Sequence, residues 1–320
     1  MLRSVSDTVD SLSPRPSSIA QVQDTPWRRR SSALPGNERL EGTPWWAWWN
    51  LLSLDAPTVS LLWALLFTRS AGIALTLPVA AVLLLTVWTI YVTDRLLDGW
   101  HPSNSSPLQT RHRFCAAHTT QLLFLAPSAA VVALCLTAKF LSPAEVRGGE
   151  YLSVVVALYM LGIHAGRRWI SRVFPKELII GFLFAAGTSL PVWSADPVIF
   201  SKLLLPMVLF ALLCSLNCLS IECWETCHLR DISLSIPHSV RWANLRINYL
   251  AAASVGSALG SLFLDSLRPS SAPLLLAIAL AALLILTLNC YRQRLSRRAL
   301  RVLVDLALVV AALFALLLPS

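Results

Sequence analysis

Charge is what this 320-residue sequence has least of. Asp, Glu, Lys and Arg make up 13% of it, against roughly 25% in a soluble domain. That deficit, with 56% hydrophobic residues and a mean hydropathy of +0.63, excludes an ordinary soluble domain and indicates a polytopic, all-α membrane protein. Other absences narrow the reading. The seven cysteines include Cys214, Cys218, Cys223 and Cys227, spaced four, five and four apart. Those spacings match no zinc pattern and set up no disulfide framework, so the thiols read as small helix-packing residues. No apolar stretch follows the N-terminal charges, so no secretory signal is expected. No acidic residue recurs at the middle of an apolar run and no inverted repeat is visible, which argues against a transporter. The net charge of +9 needs no nucleic-acid partner if it is loop bias.

Residues 1–44 are polar and rich in Ser and Pro, with Arg28, Arg29 and Arg30 in a row. They read as a disordered cytoplasmic tail, and the basic run either touches anionic headgroups or is an ordinary tail feature. Trp45, Trp46, Trp48 and Trp49 follow; tryptophan favours the membrane interface, so this is an interfacial stretch leading into the first span. Apolar runs then predict spans at about 53–68, 73–95, 117–138, 151–166, 177–194, 200–222, 246–265, 272–290 and 300–318, near the ~20 residues a bilayer requires. Residues 45–320 are thus one transmembrane domain. Assigning the tail and alternate loops to one side places 21 of the 26 Lys and Arg residues there and 5 opposite. This positive-inside pattern predicts a cytoplasmic N-terminus and a C-terminus across the membrane.

The chemistry lies on the basic side. Asp94 and Asp98 end the second span four residues apart, hence on one helix face, where like charges repel by about 0.2–0.5 kcal/mol. A divalent cation relieves that repulsion, and hard oxygen ligands suit Mg²⁺, which binds through one or two carboxylates plus substrate phosphates. The other reading is a pair of solvated charges where a helix leaves the bilayer. The sixth span ends on the same side with Asn217, Glu222 and Glu225. Cations lie on the same side: Arg95, Arg111 and Arg113 near the first cluster, Arg168 and Lys176 between spans four and five. Carboxylates that bridge metal, facing Arg and Lys, describe a diphosphate site, although positive-inside bias alone also supplies cations here. His164 and Asp305 are lone polar groups in apolar runs and read as structural, Asp305 within one turn of Arg301.

These motifs, in this order and on this side, resemble the UbiA superfamily of intramembrane prenyltransferases. The first acidic motif of that family, Asn-Asp-x-x-Asp-x-x-x-Asp, falls here on Ile90, Tyr91, Asp94 and Asp98, so its last two aspartates match. Its second motif corresponds to Asn217 through Glu225, with Glu222 and Glu225 in place of aspartates. Tyr159, followed by Arg167 and Arg168, is similar to a family tyrosine with later basic residues. Phe174-Pro175-Lys176-Glu177, leading to Gly181 and Gly187, is similar to the start of its fifth helix. The resemblance covers roughly residues 50–318. It implies a nine-helix UbiA-like bundle, multi-pass in the cell inner membrane. It also implies Mg²⁺-dependent transfer of an isoprenyl group from a prenyl diphosphate to an aromatic or lipid acceptor. The implied catalytic and metal-binding carboxylates are Asp94, Asp98, Glu222 and Glu225. The implied diphosphate set is Arg95, Arg111, Arg113, Tyr159, Arg168, Lys176 and Asn217. Tyr91 or Tyr159 would face the carbocation or serve in packing. His228 and Asp231 would be a further ligand source or loop residues. Ile90, Tyr91 and the two glutamates depart from the family pattern and keep a second reading open, a non-catalytic membrane scaffold; a transporter is the third.

Overall fold

A computed structural model describes residues 44–100, 114–115, 117–165, 176–226, 238–264 and 271–318. The N-terminal tail, Arg111, Arg113, Arg168, His228 and Asp231 lie outside the described residues, as do the side chains of His164 and Glu225. All regular structure among the described residues is helical. Nine helices of thirteen residues or more follow the predicted spans in order: α1 (Asp55–Ser70), α2 (Leu77–Trp100), α3 (Thr119–Phe140), α4 (Pro143–Ala165), α5 (Lys176–Thr188), α6 (Pro197–Thr226), α7 (His238–Leu264), α8 (Ala272–Tyr291) and α9 (Arg297–Leu317).

By length and composition, six of them are apolar enough to cross a membrane: α2, α3, α4, α6, α8 and α9. A seventh span results if the helical turns Trp45–Leu51 and α1, bent by 81° at their junction, count as one. Among the described residues the structure therefore supports a multi-pass membrane protein with six or seven such helices. The tryptophan stretch turns sharply into α1 rather than running straight on.

Two boundaries differ from expectation, each for a local reason. The fourth helix starts at Pro143, eight residues before the predicted 151. A capping box starts it: the Glu145 backbone N–H donates to Ser142 Oγ at 3.3 Å and the Ser142 N–H to Glu145 Oε2 at 2.8 Å. Glu145, Arg147 and Glu150 hid this first turn from a reading based on hydropathy. The fifth ends at Thr188, with only the one-turn helix Leu190–Trp193 beyond it. Pro191 lacks the N–H that would continue the ladder.

The core forms around α6, which packs against α5, α7, α8 and α9. Phe210 on α6 is fully buried and stacks on Trp63 of α1 with ring centroids 4.2 Å apart. Trp63 donates Nε1–H to Leu308 O on α9 at 3.2 Å, which satisfies its polar handle inside the core. At the far end of α1, Arg69 donates to Leu316 O, and to Leu318 O at 2.6 Å, closing carbonyls that α9 leaves without intrahelical partners. The C-terminal ends of α1 and α9 thus meet, and the two helices run parallel. A smaller cluster, Val92, Leu96 and Ala126, joins α2 to α3. Helix α2 packs on α1 and α3 but not closely on α6.

Candidate functional site

Helix geometry places the end of α2, the start of α5 and the end of α6 at one end of the bundle. Gly181 sets the approach of α5 to α6. A Cβ there would lie 2.2 Å from Ser215 Oγ and 2.6 Å from Ser215 N; only glycine permits so close a crossing. That contact brings Lys176, five residues back along α5, beside Glu222, seven residues on along α6. Their ion pair measures 3.7 Å from Nζ to Oε2, with the side chains 47% and 34% exposed.

Lys176 faces more than Glu222. Partial burial pulls its pKa down, but Glu222, Glu177, Asp98 and Asp94 together outweigh it, so the ammonium titrates above the ordinary lysine range. Tyr159 of α4 has Asp94, Cys218, Glu177 and Asp98 as electrostatic neighbours. The structure thus gathers five predicted residues, Asp94, Asp98, Tyr159, Lys176 and Glu222, from four helices. It adds Glu177, buried at the start of α5 with Oε2 lacking a partner. The sequence named Glu177 as part of a motif and not as a site residue; its position beside Lys176 was the available signal.

Two residues expected on the diphosphate serve elsewhere. Arg95 is buried. It donates through Nη1 to Asn50 O at 2.8 Å and to Ser53 Oγ at 2.7 Å, and through Nη2 to Asp55 Oδ2 at 3.4 Å. This guanidinium pins the bend before α1, where Ser53 takes a left-handed φ of 60°. Its fork is spent on that corner, which corrects the expectation that it binds substrate. Asn217 is buried and donates Nδ2–H to Asp305 Oδ1 at 2.9 Å. Asp305, expected to pair locally with Arg301, thus also joins α9 to α6.

Among the described residues, no group of three or more His, Cys, Asp or Glu stands ready to hold a metal ion. The side chains therefore do not fit a cage built from protein alone. They do fit the smaller demand of Mg²⁺ bound with phosphate, where one or two carboxylates suffice: Asp94 and Asp98 are one turn apart, about 5–6 Å between Cβ atoms. A separate cavity of about 250 Å³ between α5 and α6 is lined by Phe182, Ala185, Trp193, Phe200, Met207 and Ala211, among others. It brings no charged group together.

Comparison of the chain with family models, with curated proteins and with solved structures finds no match.

Proposed function

We propose that the chain transfers an isoprenyl group from a prenyl diphosphate to an aromatic or lipid acceptor within the membrane. The observation that carries this reading is the placement of Lys176 with Glu222, Glu177, Asp98 and Asp94 as charged neighbours, from α2, α5 and α6. A diphosphate needs a fixed cation for its outer oxygens and carboxylates through which a divalent ion can be shared. Both occur here at one end of an apolar bundle. On this reading the nine helices form a UbiA-like bundle. The N-terminus would be cytoplasmic and the site would face the cytoplasm from the inner membrane, a sidedness the positive-inside bias supports.

Lys176 would exchange Glu222 for a diphosphate oxygen and clamp it. Mg²⁺, when bound, neutralises charge on the leaving group. The bond from the allylic carbon to the diphosphate oxygen breaks, and the electron pair leaves with the diphosphate. A new bond forms between that carbon and the acceptor, which gives up a proton. Tyr159, which has Asp94 and Asp98 among its electrostatic neighbours, would offer its ring to the developing cation, and the surrounding apolar helices would exclude water that captures it.

The Lys176–Glu222 pair, which engages a carboxylate expected to hold metal, favours a second reading, a non-catalytic scaffold. Melting temperatures in detergent separate the two. Geranyl, farnesyl and geranylgeranyl diphosphate are each added with and without Mg²⁺, to wild type and to Asp94→Ala. Transfer activity requires a Mg²⁺-dependent rise that Asp94→Ala loses, and no rise from Mg²⁺ alone. No shift with any donor would leave the scaffold or a transporter.

A further inference from the structure

The link between α8 and α9 carries charge that the transfer scheme does not use. Arg292, Arg294, Arg297, Arg298 and Arg301 fall within ten residues, and no Asp or Glu occurs between Asp265 and Asp305. Asp305 is itself held by Asn217 of α6. Topological bias asks only for cations somewhere in a short loop. It does not explain where these stand. Arg297 and Arg298 open α9, whose first turn has no acidic residue. The helix dipole favours carboxylates there and disfavours cations, so the chain keeps these arginines at a loss of local stability.

The surface is fixed before any partner arrives. Leu295 packs against the main core. Ser296 Oγ accepts the Ala299 N–H at 3.2 Å and caps α9. Arg292 donates to Asn289 Oδ1 at 3.4 Å. Arg294, Arg297 and Arg298 stay exposed. The Arg294 guanidinium lies 5.8 Å from the centroid of the Tyr291 ring, which is 52% exposed. An exposed tyrosine at the end of an apolar helix suits the headgroup level of a bilayer. Past the arginines the exterior turns apolar. Leu306, Val310, Leu313 and Leu317 of α9 are exposed, and their spacings of four, three and four put them on one stripe. The stripe begins about two turns beyond Arg298.

Charge at one level, with an apolar stripe running away from it, matches a molecule that has a phosphate head and acyl chains. Arginine suits that head, because its planar fork binds phosphate oxygens in pairs. A choline head brings its own cation, which the arginines repel. We infer that the α8–α9 link, through Arg294, Arg297 and Arg298, is a docking surface for an anionic phospholipid. The inference needs neither the transfer reaction nor its donor.

The test uses the purified full chain in neutral detergent, with no diphosphate. Melting temperature is recorded against added dioleoylphosphatidylglycerol or dioleoylphosphatidylcholine. The chains compared are wild type, Arg294→Gln/Arg297→Gln/Arg298→Gln, and Arg28→Gln/Arg29→Gln/Arg30→Gln, which removes the same charge from the N-terminal tail. Phosphatidylglycerol should stabilise wild type at a concentration about tenfold or more below that of phosphatidylcholine. The link variant should need about tenfold or more additional phosphatidylglycerol, since each arginine at a lipid surface is worth about fivefold. The tail variant should stay within about twofold of wild type. If the triple link variant does not fold, Arg294→Gln alone is read in its place, with a loss of about fivefold expected. Glycerol 3-phosphate at the same concentrations should do nothing. Equal action of the two lipids on wild type would overturn the surface. So would a phosphatidylglycerol effect that the link variant keeps, or one that the tail variant loses equally, which would make it a matter of net charge. A shift reproduced by glycerol 3-phosphate would mean that the arginines bind a soluble phosphate, and the lipid assignment would fall.

Discussion

Lys176 Nζ lies 3.7 Å from Glu222 Oε2 and ties the first residue of α5 to the end of α6. Both side chains are more than one-third exposed, and a pair of that kind contributes about 0–1 kcal/mol to stability. Lys176→Met should therefore melt within a few degrees of wild type. The same variant should lose more than half of the melting shift given by a prenyl diphosphate with Mg²⁺. A large loss of stability with the shift intact would make the pair structural.

The pH dependence follows from the same residue. Burial lowers the Lys176 pKa and its carboxylate neighbours raise it further, so the folded value lies above the unfolded one. Any stability it contributes is then complete below the unfolded value of about 10.4 and is lost only as pH rises through the higher folded value. Between about pH 7 and about pH 9 its charge is constant. The diphosphate-induced melting shift should stay flat over that window, and a halving across it would show that a different group holds the anion.

Arg95 and Asp55 are a buried pair, with side chains 4% and 6% exposed. Removing one partner strands a charge and costs about 3–5 kcal/mol, whereas replacing both with apolar residues is often near neutral. Arg95→Met should therefore melt well below the double variant Arg95→Met/Asp55→Leu. Equal melting of the two would mean that Arg95 acts through Asn50 O and Ser53 rather than through its charge.

Gly181 and Gly256 are both helical and should answer oppositely to alanine. At Gly181 a Cβ meets Ser215 N at 2.6 Å and Ala211 O at 2.7 Å. These are backbone atoms that cannot rotate away, so Gly181→Ala should destabilise by about 1–3 kcal/mol. It should also weaken diphosphate binding, since Lys176 would move away from Glu222. At Gly256 nothing lies within 4 Å of the added atom, and Gly256→Ala should gain about 0.4–1 kcal/mol. Thermal melts of the two variants side by side decide the point.

The helix series was legible because apolar runs of bilayer length are a local property. Nine runs predicted nine helices in order, although only six, or seven with the bent pair, meet the length and apolarity of a span among the described residues. The readings that failed were those in which local chemistry overrode hydropathy, as at the charged capping box of α4 and at Pro191. Of the site, the sequence singled out Asp94, Asp98, Lys176 and Glu222 by residue type and membrane side, and Tyr159 only through the family resemblance. It misassigned Arg95 because a cation beside two aspartates resembles a substrate ligand until its partners are seen.

By itself the sequence determined the class of protein, the order of its helices and the end at which charge collects, since each depends on residues near one another along the chain. Only the tertiary structure decided which charge meets which. Arg95 reaches back 40 residues to Asp55, Asn217 reaches 88 forward to Asp305, and Lys176 is left facing the acidic helices. Those choices depend on how closely two helices can approach, which a glycine against a serine backbone settles and the hydropathy of either helix does not.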